Sequence, residues 1–287
     1  MSESAAHLID EVFPQVGVRQ WVVSFPFPIR FLLLRSPKLQ SQMLGICIRA
    51  IQSLIQKKAK QKVKGGAVTL MQRFGGSLNA NLHFHILVLE GGYAGEEFMP
   101  IYPPTDEEIR ALVQVIARRV VRALKKQGHF AEGEALAEGA EDGLSELQAA
   151  SIRSRVAMGK RRGQWIRRLG ALRVSDPPEL TGPLCANVAQ FSLHANVYCA
   201  PNQRDKLEKL CRYVARPAVA EGRLKQKSNG DILLKLKKAY SDGTSHLIFS
   251  PLEFLEKLAA LVPPPRAHLT RFHGVLAPNA RIRSKIV

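Results

Sequence analysis

The sequence is poor in the residues that build several protein classes. Its four cysteines, Cys47, Cys185, Cys199 and Cys211, are scattered and form no C-x-x-C pair, which excludes a zinc ribbon or a disulfide scaffold and points to buried free thiols. Long apolar runs are missing too: a stretch such as Phe31-Leu32-Leu33-Leu34 is far too short to span a bilayer. The start, Met1-Ser2-Glu3-Ser4, lacks the basic region and apolar stretch of a secretory signal, so a cytoplasmic, nucleoid-associated location is expected. No internal repeat is present. Carboxylates are scarce beside cations, with 24 Asp plus Glu against 42 Lys plus Arg and a net charge of +18 over 287 residues. That surplus favours polyanions through release of counterions from phosphates, which makes nucleic acid the leading partner class.

What is present is enough apolar residue, 46%, for a substantial core. Residues 18–25 read as a strand that Pro26 and Pro28 break, and a helix follows over 37–60. Strands over 66–74 and 81–90 are joined through Gly75-Gly76-Ser77 as a hairpin. Thr105 opens a helix with Glu107 and Glu108 at its positive end, an apolar stripe of Ile109, Leu112, Val113, Ile116, Val120 and Leu124, and cations towards its negative end. Residues 128–147 are rich in Gly, Ala and Glu, and 153–173 turn basic. Beyond them come a strand over 190–199, a helix over 202–215, short strands near 232–236 and 246–249, and a helix over 251–261. Without a run of βαβ crossovers, this order predicts an α+β fold with a central antiparallel sheet flanked by helices. The expected divisions are residues 1–127 as the first part of the core, 128–180 as a mobile acidic-to-basic insertion, 181–222 as the remainder of the core, and 223–287 as a small C-terminal α/β extension.

Within the 81–90 strand, residues two apart share a face, so His83 and His85 point one way while Leu82, Phe84, Ile86 and Val88 point the other. Leu87 and Leu89 continue the histidine face and imply burial. Two imidazoles on one face suit a divalent metal completed by oxygen ligands, water and a phosphate. The alternative is a pair of histidines satisfied by neighbouring polar groups. In the 202–215 helix, Leu207, Leu210, Cys211 and Val214 form an apolar stripe with Tyr213 on its flank, and Pro217 stops the helix soon after. A flank position lets the ring pack while the phenol reaches a groove, although such a tyrosine also serves as a plain packing residue. With a phenol pKa of about 10, attack at neutral pH requires a base or a metal-polarised phosphodiester.

The blocks Arg73-Phe74-Gly75-Gly76-Ser77-Leu78-Asn79, His83-Phe84-His85, Cys211-Arg212-Tyr213-Val214-Ala215-Arg216-Pro217 and Arg271-Phe272-His273-Gly274-Val275-Leu276-Ala277-Pro278-Asn279 stand in this order. Together they resemble the rolling-circle transposases of the IS-ninety-one type, from about residue 5 to the end of the chain. That family belongs to the HUH endonucleases, and the resemblance implies their RRM/ferredoxin-like core. It further implies that His83 and His85 bind Mg²⁺ or Mn²⁺ and that Tyr213 attacks single-stranded DNA at transposon ends to form a 5′-phosphotyrosine. A third metal ligand is expected, with His194 preferred because it shares a polar strand face with Ser192 and Asn196; Gln190, Glu208 and Gln72 stay open. Two features depart from the pattern. Some members carry two tyrosines one helical turn apart, whereas Lys209 and Pro217 occupy those positions here, which implies a one-tyrosine mechanism. Members also commonly begin with a cysteine-rich zinc-binding domain, which is expected to be lacking here.

Arg161, Arg162, Arg167 and Arg168 flank Trp165, and an aromatic among arginines can stack a base while guanidinium groups hold phosphates. Arg73, Arg212 and Arg216 join them as expected DNA contacts. Lys57, Lys58, Lys60, Lys62 and Lys64 form a second basic cluster, for which a solvated helix face is the plainer reading. Arg271 and His273 receive no chemistry. The sequence also admits two rivals: a remnant that binds single-stranded nucleic acid without cutting it, and a plasmid replication initiator or relaxase using the same chemistry.

Overall fold

A computed structural model describes residues 2–129, 143–169, 182–219 and 221–287. In chain order its helices are α1 (Ser2–Glu11), α2 (Phe27–Arg35), α3 (Pro37–Ala59), α4 (Asp106–Lys126), α5 (Gly143–Ile152), α6 (Arg204–Val214), α7 (Pro251–Leu261) and α8 (Arg283–Ile286). Its strands are β1 (Val18–Ser24), β2 (Gly66–Phe74), β3 (Ala80–Leu89), β4 (Gly91–Ala94), β5 (Glu97–Pro100), β6 (Arg167–Leu169), β7 (Cys185–Val188), β8 (Phe191–Cys199), β9 (Leu224–Gln226), β10 (Ile232–Lys235), β11 (His246–Phe249) and β12 (Thr270–Gly274).

Local chemistry explains the main boundaries. Thr105 accepts from the Glu108 N–H while Glu108 reaches back to the Thr105 N–H, a reciprocal cap that starts α4. Ser250 and Glu253 start α7 in the same way. The prolines expected to break the chain after β1 instead admit α2, because Pro28 sits in the first turn, where a missing N–H costs no hydrogen bond.

Six strands form an antiparallel sheet in the order β12-β2-β3-β1-β8-β7. Helices α2, α3 and α4 cover one face, where Trp21, Val23, Phe84, Ile86, Val88 and Leu193 meet Leu33, Met43, Ile51, Ile109 and Ile116. On the other face α1 and α6 pack over one end, where Val18, Val68, Leu70, Leu87 and Leu89 meet Leu8, Leu207, Cys211 and Val214. The chain is thus α+β, with a central antiparallel sheet flanked by helices. The Arg19 guanidinium, buried at the end of this sheet, holds the Glu90 carboxylate at 2.6–2.9 Å and donates to Ala195 O.

A second antiparallel sheet, β6-β11-β10-β9, lies beside α7, and its Leu234, Leu247 and Phe249 join the apolar cluster of the large sheet. Residues 223–287 therefore divide between the two sheets: β9, β10 and β11 build the small one, while β12 returns to the edge of the large one. Within the expected insertion, residues 130–142 and 170–180 lie outside the described residues, and 143–169 carry α5 and β6. Among the described residues no helix is long and apolar enough to cross a membrane. The four cysteines are free, and burial pushes the Cys47 and Cys211 thiols up to about 12.

Candidate functional site

The face of β3 that α6 leaves open carries Asn81, His83 and His85. Together with β1, β2, β8 and α6 it walls a cleft of about 570 Å³ lined by Gln20, Gln72, Asn81, His83, His85, His194, Tyr213 and Arg216 among others. All four residues expected to carry the chemistry, His83, His85, His194 and Tyr213, reach this one cleft.

The two strand histidines converge, with His83 Nε2 3.0 Å from His85 Nε2. His83 donates its Nδ1–H to Asn81 O at 2.9 Å, which fixes the tautomer and leaves Nε2 with its lone pair. His85 Nδ1 lies 2.8 Å from the Gln20 amide nitrogen, and its Nε2 lies 3.2 Å from Gln72 Oε1. Turning the Gln20 amide over would place its oxygen on a protonated Nδ1 and free the second Nε2 lone pair. Two nitrogens bound at right angles to one ion, with bonds of about 2.1 Å, stand about 3 Å apart, so the observed separation fits a shared divalent cation. Burial holds both imidazoles neutral: His85 falls to about 3 through desolvation, the neighbouring His83 and the Arg216 charge, and His83 is lowered by burial with further contributions from Arg30 and Arg216. A neutral imidazole is the ligating form.

The other donors of the cleft are amides and one imidazole. Among the described residues, no three His, Cys, Asp or Glu side chains gather as a metal cluster. Asn81 Oδ1 is buried without a hydrogen-bond partner, an acceptor left open towards a donor or a cation. His194 sits on β8 opposite Val22, and burial lowers its pKa. The β1–β8 register slips, pairing Gln20 with Val197 and Val22 with His194, so β8 carries an extra residue there. That bulge takes Asn196 off the expected face while Ser192 and His194 keep their alternation: Val197, not Asn196, shares the cleft with His194.

Tyr213 projects from the last turn of α6 while Leu207, Cys211 and Val214 bury the opposite side. Its ring stands edge-on to His85 at 6.4 Å and is 47% exposed. The Arg216 guanidinium lies 4.2 Å and the Lys237 ammonium 5.1 Å from the ring centre. Gln72 ties the helix to the histidines, since its Nε2 donates to Val214 O at 2.7 Å while its Oε1 faces His85. The bond caps an otherwise orphaned carbonyl at the helix end.

The expected DNA contacts separate in space. Arg216 is in the cleft. Arg212 is exposed and pairs with Glu208 one turn back. Arg73, expected at the nucleic acid, is instead interior: its guanidinium donates to Leu34 O, Leu261 O and Val262 O, the carbonyl ends of α2 and α7. Around the exposed Trp165, Arg161 pairs with Glu253 and Arg162 with Glu146, while Arg155 stacks on the indole at 4.1 Å. Arg167 and Arg168 lie on β6, paired through their backbone with β11. Sequence reasoning missed Gln20, Arg30, Asn81 and Lys237 altogether. Only Asn81 had a signal in sequence, the same two-residue alternation that joins His83 to His85.

A model of the Y2_Tnp family, described as "Putative transposase", matches residues 66–284, about three quarters of the chain. The chain belongs to this family of transposases. No curated protein and no solved structure matches it.

Proposed function

We propose that the chain is an HUH-type transposase of the rolling-circle kind, with an RRM/ferredoxin-like core, that nicks and rejoins single-stranded DNA through Tyr213. The observation that carries this reading is the convergence of His83 Nε2 and His85 Nε2 at 3.0 Å in a cleft that also presents the Tyr213 ring 6.4 Å from His85. Membership of a transposase family and the surplus of cations support a DNA substrate. The residues fit Mg²⁺ or Mn²⁺: the two imidazoles would hold it, and Gln72 Oε1, 3.2 Å from His85 Nε2, the partnerless Asn81 Oδ1 and His194 of the same cleft are the candidates for a third donor. Such an ion, when bound, neutralises and polarises a phosphodiester.

The chain's own residues do the rest. Tyr213 Oη attacks the phosphorus and gives its proton to solvent, the P–O3′ bond breaks, and the leaving 3′-oxygen takes up a proton from solvent. One strand end is then a 5′-phosphotyrosine and the other a free 3′-hydroxyl, so the bond energy is conserved for rejoining. Gln72 holds the helix end, and with it the nucleophile, at a fixed distance from the histidine pair.

The test is a denaturing gel of the protein incubated with labelled single-stranded oligonucleotides of candidate element ends and Mn²⁺. A covalent adduct is expected from the wild type and none from Tyr213→Phe. An adduct that persists in Tyr213→Phe would remove the nucleophile assignment. A chain that binds single strands without cutting is the reading favoured by the want of a three-residue His, Cys, Asp or Glu cluster among the described residues. Binding with no adduct under every metal tried would establish it.

A further inference from the structure

The small sheet has no part in the chemistry above, yet it reaches the nucleophile. Lys237, two residues beyond β10, brings its ammonium to 5.1 Å from the Tyr213 ring centre. Arg223, just before β9, donates to Lys235 O at 2.8 Å on its own sheet and to Gly76 O at 2.7 Å on the glycine loop that lines the cleft. Arg216 completes the group from the other side of the chain, 4.2 Å over the same ring.

Two cations from two parts of the fold are thus collected at one tyrosine, a third, Arg223, is tied to the glycine loop of the same cleft, and none of the cleft's lining residues is a carboxylate. Like charges so gathered repel unless an anion joins them. Arg216 carries the clearest mark of a missing partner, because its Nη1 is buried and makes no hydrogen bond. A buried guanidinium N–H without an acceptor is rare in folded proteins. Arg216 also stands on the wall between the catalytic cleft and a neighbouring cavity of about 580 Å³, which shares Gln72 and Phe74 and adds Leu70, Leu269 and Phe272, with His7 and one carboxylate, Glu3, on its α1 side. A strand whose phosphate lies at the histidines would pass Arg216 on its way into that cavity.

We propose that Arg216 and Lys237, with Arg223 bracing the glycine loop of the same cleft, form a phosphate seat that holds the phosphodiester next to the one Tyr213 attacks. The small sheet is then the second jaw of the single-strand site. This rests on the single-strand nuclease reading for the identity of the anion. It does not rest on cleavage. The seat gives the DNA a fixed direction across the ring, from the histidines past Arg216 towards the neighbouring cavity, where the next base finds Phe272 as a stacking surface.

The experiment uses the full chain with Tyr213→Phe to prevent cutting and a dye-labelled thymidine homopolymer as probe. Binding is followed by fluorescence anisotropy across a salt series, and circular dichroism checks that each variant is folded. The log-log salt slope is expected to shrink by about 0.7 when Lys237→Ala removes one phosphate contact, and to be kept by Lys237→Arg. Arg216→Ala should lose at least as much. Lys227→Ala, in the turn at the opposite end of β10, should leave the slope unchanged. Equal slopes for Lys237→Ala and Lys227→Ala would overturn the seat, as would a wild-type chain that fails to bind single strands. The two readings fail separately. An adduct in the gel with no slope change removes the seat and keeps the nuclease, whereas a slope change without any adduct keeps the seat and removes the nuclease.

Discussion

Adjacent residues of β3 live in opposite worlds. Leu82, Phe84, Ile86 and Val88 enter the apolar layer under α2 and its neighbours, fully buried and filling space. Asn81, His83 and His85 face the cleft, neutral and desolvated, with one acceptor orphaned and two imidazole nitrogens turned on each other. Farther along, Leu87 and Leu89 return the same face to apolar packing under α1 and α6. Burial on the first face stabilises the fold, while burial at the cleft end of the second keeps polar groups short of partners. A ligand that supplies those partners recovers what the fold forgoes.

Truncating two neighbours on β3 separates the two faces. His83→Ala should cut adduct formation at least about 100-fold, since it removes a proposed metal donor, yet leave the melting temperature within a few degrees. Phe84→Ala should cost about 3–5 kcal/mol and lower the melting temperature by on the order of 10 °C, because a fully buried ring leaves a cavity against Phe25. A His83→Ala protein that unfolds as readily as Phe84→Ala would show the histidine face to be structural. The buried pair at the sheet end carries an effect of the same size. Glu90→Ala should destabilise by about 3–5 kcal/mol by leaving the Arg19 charge unpaired in the interior, and Arg19→Met with Glu90→Leu should restore much of the loss in chemical denaturation.

The elements on both sides of the comparison were legible because they rest on local signals. The hairpin of β2 and β3, the capped start of α4 and the stripe of α6 follow from alternation, a Thr-x-x-Glu box and helical spacing. The histidine pair and Tyr213 were legible one at a time, and the family-like blocks joined them. What sequence could not give was register. Gln20 and Gln72 face His85 only because Val22 and Leu70 pair with it on neighbouring strands. The β8 bulge reassigns parity after His194, and no residue type announces it. Arg73 read as a DNA contact because charge in sequence says nothing about which carbonyls lie nearby. Lys237 comes from another sheet altogether, and short strands such as β7 and β12 earn their place at the edges only by pairing with longer ones.

A smaller effect tests whether the two sides of the cleft are held together by design of one side chain. Gln72→Ala should reduce adduct formation at least about 10-fold, since it removes an oxygen beside His85 together with the tie to α6, while binding of the thymidine probe is retained. Gln72→Glu keeps an oxygen towards His85 but loses the N–H given to Val214 O, so it separates the two jobs. Full activity in Gln72→Glu would mean that the tie to α6 is dispensable.

Ordinary histidine titrates near about 6.5, but burial holds His85 at about 3 in the cleft and His273 at about 4 beside Thr69. Above pH 7 both are neutral in the folded and unfolded chain and contribute nothing to pH dependence. As pH falls below about 6.5 the unfolded chain takes up protons that the fold refuses, so stability drops with falling pH, by about 1.4 kcal/mol per pH unit for each histidine kept fully neutral. The drop from this source ends near pH 4 for His273 and near pH 3 for His85. Urea denaturation of the metal-free protein between pH 7.5 and 5 should show it, with a shallower dependence in His85→Asn and in His273→Asn. The pair also separates the faces, because His273 adjoins Gln52 and Gln56 of α3 rather than the cleft. Added Mn²⁺ at pH 7.5 should therefore stabilise His273→Asn as it does the wild type and leave His85→Asn unmoved. Equal protection of both variants would place the metal away from the strand histidines.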